Sequence, residues 1–313
     1  MADKQNFNIG NVRQEGRSGY VIESFDKLTN GKADKYVVQS YDNGGYELVA
    51  YLLNPKNSRN KNNQITAFLV SGIHGDEGSA IGGIYHTVSA LVDRQYSKEL
   101  TDGFGQIIVV PIVSRSALDS GTRRNGYVDI NRTFWIDSKN KPEEVKQLER
   151  LVNEFYHPDS PSLFVDFHND TRYDGSYILA NTNPKSYDLA DKAIAVLRGI
   201  GLPILEEDIR EKTENGTEVV LKNNRGVLHK DAQEAYKGAF GPPPFARNND
   251  TRYQPVSITL EINPRDPQLA RDGYLVASNT IFRYYGEIIL ANSRWFAMPN
   301  EIFSDSYVKK MRN

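Results

Sequence analysis

Four short runs in this 313-residue chain are apolar nearly throughout: residues 66–73 (TAFLVSGI), 107–113 (IIVVPIV), 162–167 (SLFVDF) and 256–260 (VSITL). A strand-length run without polar alternation belongs in a sheet covered on both faces. Helical stripes lie between these runs. Ile81, Ile84, Val88 and Leu91 fall at i, i+3, i+7 and i+10, and Val145, Leu148, Val152 and Phe155 mark a second buried helical face. Pro142, followed by Glu143 and Glu144, starts that second helix, because proline fits a first turn and acids suit its dipole. Residues 187–202 read as a helix stopped by Gly201-Leu202-Pro203. Residues 269–291 form a long last helix with Leu275, Ile281, Tyr285 and Ile288 spaced for burial. Strands alternating with helices predict an α/β fold with a mixed, largely parallel central sheet flanked by helices.

The remaining segments organise around that frame. Residues 1–30 are polar, with little periodicity, and read as an N-terminal arm. Residues 36–40 and 46–54 flank Asp42-Asn43-Gly44-Gly45, which is hairpin-turn chemistry. The Asn/Lys-rich stretch 54–64 is a solvated connection too short for a domain linker, and Gly241-Pro242-Pro243-Pro244 breaks regular structure. The stretch between Ser114 and Trp135 is polar and Gly/Arg-rich without a helical period. Gly82-Gly83 implies close packing of a helix on the sheet. There is no internal repeat, so a single domain over residues 1–313 is expected.

Composition narrows the function classes. With 38 Lys+Arg against 40 Asp+Glu the net charge is −2, which lacks the basic footprint of a nucleic-acid binder. No run approaches the ~18 apolar residues of a membrane helix. The N-terminus also lacks a secretory pattern, so a cytoplasmic location is expected. Absence of cysteine excludes disulfides, thiolate metal sites and cysteine nucleophiles. Any metal site must draw on His74, His86, His157, His168 and His229.

Sheets of this kind bind ligands beyond the carboxyl ends of their strands. The first run leads into His74-Gly75-Asp76-Glu77, the third into His168-Asn169-Asp170, and the fourth into Glu261. His74, Glu77 and His168 compose the two-histidine, one-carboxylate set with which a catalytic zinc ion keeps a fourth position open. Glu261 is then a free acid beside them, suited to proton transfer. The cluster Arg123, Arg124 and Arg132 lies on the same side and offers forks for a carboxylate or an oxyanion. His86, His157 and His229 are assigned to packing or surface roles. Neither a Gly-x-Ser-x-Gly elbow nor a phosphate-binding glycine loop is present.

Taken together, His74-Gly75-Asp76-Glu77, Asp129-Ile130-Asn131-Arg132, Asp166-Phe167-His168 and Thr259-Leu260-Glu261 resemble the zinc carboxypeptidase family. The likeness is nearest to its short bacterial members and to aspartoacylase and succinylglutamate desuccinylase, and it spans about residues 66–291 in the family's order. It implies a zinc-carboxypeptidase-like fold and one zinc ion held by His74, Glu77 and His168. In that scheme Glu261 takes a proton from the zinc-bound water and later gives it to the leaving amine. Asn131 and Arg132 grip a substrate carboxylate, and Asp129 orients the first zinc histidine. Either Arg123 or Arg124 matches the oxyanion-stabilising arginine. For the family's mobile tyrosine, Tyr236 and Tyr253 lie in the right region without a local match. Thr133-Phe134-Trp135 departs from what usually follows the Asn-Arg pair.

The deacylase relatives generally carry a β-rich domain after the catalytic glutamate. Here 52 residues follow Glu261, beginning with a helix, so hydrolysis of a C-terminal peptide bond ranks ahead of N-acyl amino acid deacylation. The expected partner is a peptide or N-acyl amino acid with a free carboxylate, and neither nucleic acid nor membrane. A catalytically silent zinc-binding protein is the third reading, against which Glu261 stands. Arg247 and Arg252, within residues 239–255, are expected at a pocket rim.

Overall fold

The four apolar runs lie side by side in one sheet. The computed structural model describes residues 7–39, 47–53, 65–93, 104–126, 128–134, 138–181, 183–212, 218–229, 255–263 and 266–292. Its strands are β1 (Asp34–Val38), β2 (Leu48–Leu53), β3 (Ile65–Val70), β4 (Phe104–Val110), β5 (Ser162–His168) and β6 (Tyr177–Ala180). They continue with β7 (Ile209–Lys212), β8 (Glu218–Leu221), β9 (Asn223–Asn224), β10 (Val227–His229) and β11 (Val256–Glu261). The helices are α1 (Arg17–Thr29), α2 (Gly78–Val92), α3 (Arg115–Ser120), α4 (Glu143–Phe155), α5 (Pro184–Gly199) and α6 (Pro267–Asn292).

Among the described residues the main sheet runs β1-β2-β4-β3-β5-β11-β6-β10-β9, with β7 and β8 forming a separate pair. The central strands β4, β3, β5 and β11 are parallel, while β2 and β6 flank them antiparallel. The α/β expectation holds, with antiparallel strands confined to the flanks. The hairpin expectation also holds in its strands, since β1 pairs antiparallel with β2. The Asp42–Gly45 turn, residues 54–64 and 239–254, Trp135, Tyr236, Tyr253, Arg247 and Arg252 lie outside the described residues.

Alternation along each strand sorts side chains between two faces. Leu163, Val165 and Phe167 of β5 and Val256, Ile258 and Leu260 of β11 face α1, α2, α5 and α6 in the largest apolar cluster. On the other face, α4 covers one end through Val145, Leu148, Leu151 and Val152. A smaller cluster of Tyr177, Leu179, Leu205, Ile209, Leu221 and Leu228 covers the opposite end. Between these two clusters the same face carries Asp166, His168, Thr259 and Glu261, all buried. That polar row is where a site can form.

Several sequence expectations need correction. Residues 1–30 are not simply an arm, because α1 occupies Arg17–Thr29 and buries Val21, Phe25 and Leu28. Their i, i+4, i+7 spacing is a narrow stripe among polar residues, and Tyr51 reinforces it by hydrogen-bonding Ile22 O and Asp26. The polar stretch after Ser114 contains α3, capped by the Ser114 side chain and ended by Gly121 at φ 64°. The first run stops as a strand at Val70, and Gly72 then turns at φ +65°, where a Cβ would meet the Ile112 backbone at 2.9 Å. In the second run β4 ends at Val110, since Pro111 has no N–H to continue the ladder. In α6 the buried face is Ala270, Tyr274, Ala277, Ile281 and Tyr285, whereas Leu275 lies to its side and is only partly buried.

Gly83 also acts differently from expectation. A Cβ there would sit 2.3 Å from the Tyr274 ring, so the glycine lets α2 approach α6, a helix rather than the sheet. The integral role of α1 is testable: Phe25→Ala is expected to lower unfolding free energy by about 3–5 kcal/mol in chemical denaturation.

Candidate metal centre

The segment after β3 is fixed by steric fit before chemistry. Gly75 N donates to Thr122 O at 2.9 Å, and a Cβ on Gly75 would lie 2.0 Å from the Ala117 carbonyl. The His74–Glu77 turn is therefore nested directly on the backbone of α3. Arg123 and Asp129, which follow α3, lie alongside Glu77 and His74.

Glu77 is the hub. Its Oε1 lies 2.6 Å from His74 Nδ1, and its Oε2 lies 2.8 Å from His168 Nδ1. The backbone N–H of Asn169 donates to Oε2 at 3.0 Å, and Arg123 donates to Oε1 at 3.2 Å. Each imidazole is backed by an acid on its other nitrogen. His74 Nε2 is 3.0 Å from Asp129, and His168 Nε2 is 3.0 Å from Asp166. His74, Glu77 and His168 are all buried, and their candidate ligand atoms lie within 4.8 Å of one another.

The electrostatics follow from that packing. Burial opposes ionisation of Glu77, but the imidazoles of His168 and His74 overcome it and hold the carboxyl below the usual range. Burial likewise works against Asp129, yet His74, Arg123 and Arg132 bring it down to about 2. His168 is disfavoured as a cation by burial, and the carboxylates of Asp166 and Glu77 raise it well above its ordinary value. Glu261 goes the other way. Burial pushes it well above the carboxylate range, opposed by His168 and assisted by Glu77, Asp170 and Asp166.

The register explains the position of Glu261. It is the cross-strand partner of His168 on β5 and of Tyr177 on β6. Tyr177 donates to Asp170 at 2.8 Å, and Asp170 is also gripped by Arg172 through Nε and a terminal nitrogen at 2.8 and 2.6 Å. Glu261 Oε2 and Asn131 Oδ1 are buried side-chain atoms without a hydrogen-bond partner. Buried polar atoms in folded proteins rarely stay unpaired. An orphaned Glu261 oxygen next to His168, with two imidazole Nδ1 atoms gathered on the Glu77 carboxylate, fits a site that receives a cation.

The structure thus brings together His74, Glu77, His168, Glu261, Asp129 and Arg123. Arg132 acts on Asp129, and the Asn131 N–H donates to the same acid at 3.1 Å. Arg124 is exposed, with its carbonyl engaged by Thr122, so of the two arginines Arg123 is the one at the cluster. Sequence reasoning gave no role to Asp166. Its signal was an acid two residues before His168, on the same strand face. It also passed over Asp170 and Arg172, whose pairing only the folded chain reveals.

The family model of the succinylglutamate desuccinylase/aspartoacylase catalytic domain matches residues 63–282. No curated protein matches the chain. Among solved structures, carboxypeptidase A from Helicoverpa armigera is similar at TM-score 0.60 and 14% identity, over 93% of this chain and 76% of that one. A metallo-carboxypeptidase from Burkholderia cenocepacia is similar at TM-score 0.58 and 11% identity, over 88% and 70%. A third, the metallo-carboxypeptidase from Pseudomonas aeruginosa in complex with (2-guanidinoethylmercapto)succinic acid, has TM-score 0.58 and 13% identity, over 87% and 69%. At these identities the likeness concerns the fold.

His86 stands apart from the cluster, on α2, where burial and the Arg271 guanidinium push it down to about 4. An unfolded chain takes up this proton near pH 6.5 while the folded one does not, so stability falls as pH drops from about 6.5 to about 4. His86→Gln is expected to flatten that part of the stability–pH curve. The recovered difference near pH 4 should be on the order of 2 kcal/mol, allowing for screening of a partly exposed ring.

Proposed function

Since the chain belongs to the succinylglutamate desuccinylase/aspartoacylase catalytic-domain family, we propose that it is a zinc-dependent hydrolase of amides formed on an amino acid with a free carboxylate. The observation that carries this reading is the convergence of His74 Nδ1, His168 Nδ1 and the Glu77 carboxylate, with Glu261 next to His168 in the strand register. Two nitrogens and one carboxylate oxygen are a donor set that suits zinc, and both histidines have the backing acid that orients metal-binding imidazoles. His74, Glu77 and His168 would hold the zinc ion, which would supply Lewis acidity toward the scissile carbonyl and a more nucleophilic water.

The chain's own residues do the rest. Glu261 takes a proton from the attacking water on a carboxylate oxygen and passes it to the leaving amine nitrogen. Asn131 and Arg132 bind the carboxylate of the departing amino acid, the guanidinium offering a planar two-point grip. Arg123 lies beside Glu77 and Asp129 and offers positive charge where the carbonyl oxygen becomes an oxyanion. Asp129 and Asp166 keep the two imidazole rings turned so that Nδ1 faces Glu77.

A C-terminal peptide bond and an N-acyl amino acid present the same amide to this site and differ only in the acyl side. The matched family favours a small acyl group, and the carboxypeptidase neighbours favour a peptidyl one. Elemental analysis of the purified protein followed by a panel of short peptides and N-acyl amino acids decides between them. Amino acid release from either class is expected, and derivatives with an amidated carboxylate should be refused. Equal cleavage of amidated compounds would remove the role given to Asn131 and Arg132. Glu261→Gln should keep its zinc while turnover falls about a hundredfold to ten-thousandfold. Undiminished turnover in that variant would refute the proton-transfer role.

A further inference from the structure

Helix α6 holds β5 from the face opposite the metal-binding cluster, and it does so with two buried tyrosine hydroxyls. Tyr285 donates to Ser162 O at 3.0 Å, at the start of β5. Tyr274 donates to His168 O at 2.6 Å, at its end. Eleven helical residues rise ~16 Å and six strand steps span ~20 Å, so the antiparallel helix grips both ends of the strand. The two contacts are chemically alike, but only one is next to the site.

The Tyr274 contact reaches further than its twin. Its hydroxyl also lies 3.3 Å from the carbonyl of Ile262, the residue after Glu261. Ile262 N donates to His168 O at 3.3 Å, the Asn169 side-chain amide donates to Ile262 O, and Asn169 N donates to Glu77 at 3.0 Å. On the helix side, the Ser79 side chain lies within reach of the same hydroxyl, and Gly83 leaves room for the ring against α2. One phenol therefore ties the ends of β5 and β11 to the first turns of α2, which follow directly on Glu77.

We propose that Tyr274 is a positioning residue of the metal cradle, whose hydroxyl sets where His168 and Glu261 stand relative to Glu77. Its place on the far face of the sheet keeps it from substrate, so it acts through the backbone it holds. The inference rests on the metal-binding reading above and extends it to a residue that none of the motifs contains.

The test compares Tyr274→Phe with Tyr285→Phe, each losing one buried hydroxyl bonded to a β5 carbonyl. Zinc affinity is measured by chelator competition, stability by the thermal midpoint of the metal-free protein, and kcat and KM on a substrate from the panel. Both variants are expected to lose a similar few degrees in midpoint. Tyr274→Phe should bind zinc about tenfold more weakly, with kcat reduced and KM within about twofold, since it removes the donor shared by the two cradle carbonyls and leaves each with a single partner. Tyr285→Phe should keep zinc affinity within about twofold. If Tyr274→Phe matches the native protein in zinc affinity, or if Tyr285→Phe weakens it equally, the proposal is overturned. Should Tyr274→Phe not fold, Ser79→Ala leaves the ring in place and is expected to weaken zinc about threefold, and unchanged affinity counts against the proposal. A native protein that binds no divalent ion overturns the metal reading as well, which separates the two failures.

Discussion

The carboxylate of Glu77, shared between two buried imidazoles, is the contact on which the rest depends. Asp129 and Asp166 stand behind those rings, so three acids and two histidines occupy a region largely closed to water. Buried charge is tolerated only when paired, and removing one member of such a group costs far more than an exposed pair is worth. The turn after β3, the end of β5 and the segment around Asp129 must therefore arrive together.

The sheet divides its labour by face. One face is continuously apolar and packs four helices, while the other is interrupted by the row containing Asp166, His168, Thr259 and Glu261. The interruption separates two apolar clusters that each cover one end of the sheet. Alternate positions of the same strands thus serve stability and chemistry. Asp166-Phe167-His168 and Thr259-Leu260-Glu261 show it in three residues each, with the middle residue turned toward the helices.

Much of this was legible beforehand, for reasons that differ by residue. Runs of apolar residues mark strands covered on both faces, so the central four were readable, and so were the ligand-type residues at their ends. Helix α1 was obscured because its fully buried apolar stripe is only Val21, Phe25 and Leu28, with Tyr20 and Ile22 partly buried beside it among polar residues. Choosing Arg123 over Arg124 required the docking of the segment on α3, which neighbouring arginines cannot express. Tyr274 was hidden more deeply still, since nothing local distinguishes it from the other tyrosines of the chain. Its importance comes from two carbonyls over 100 and 12 residues away.

Gly75 gives the His-Gly-Asp-Glu signature a mechanical meaning. His74 and Glu77 are there for what their atoms can bind, whereas the glycine between them is there because a helix carbonyl already fills the space of a methyl group. An alanine at that position would act as a wedge, prising α3 and the arginine that follows it off the acid they neighbour. The fingerprint therefore couples two demands, one of bonding and one of clearance. A chain that kept His74 and Glu77 but swapped the glycine would retain the reagents and lose the vessel.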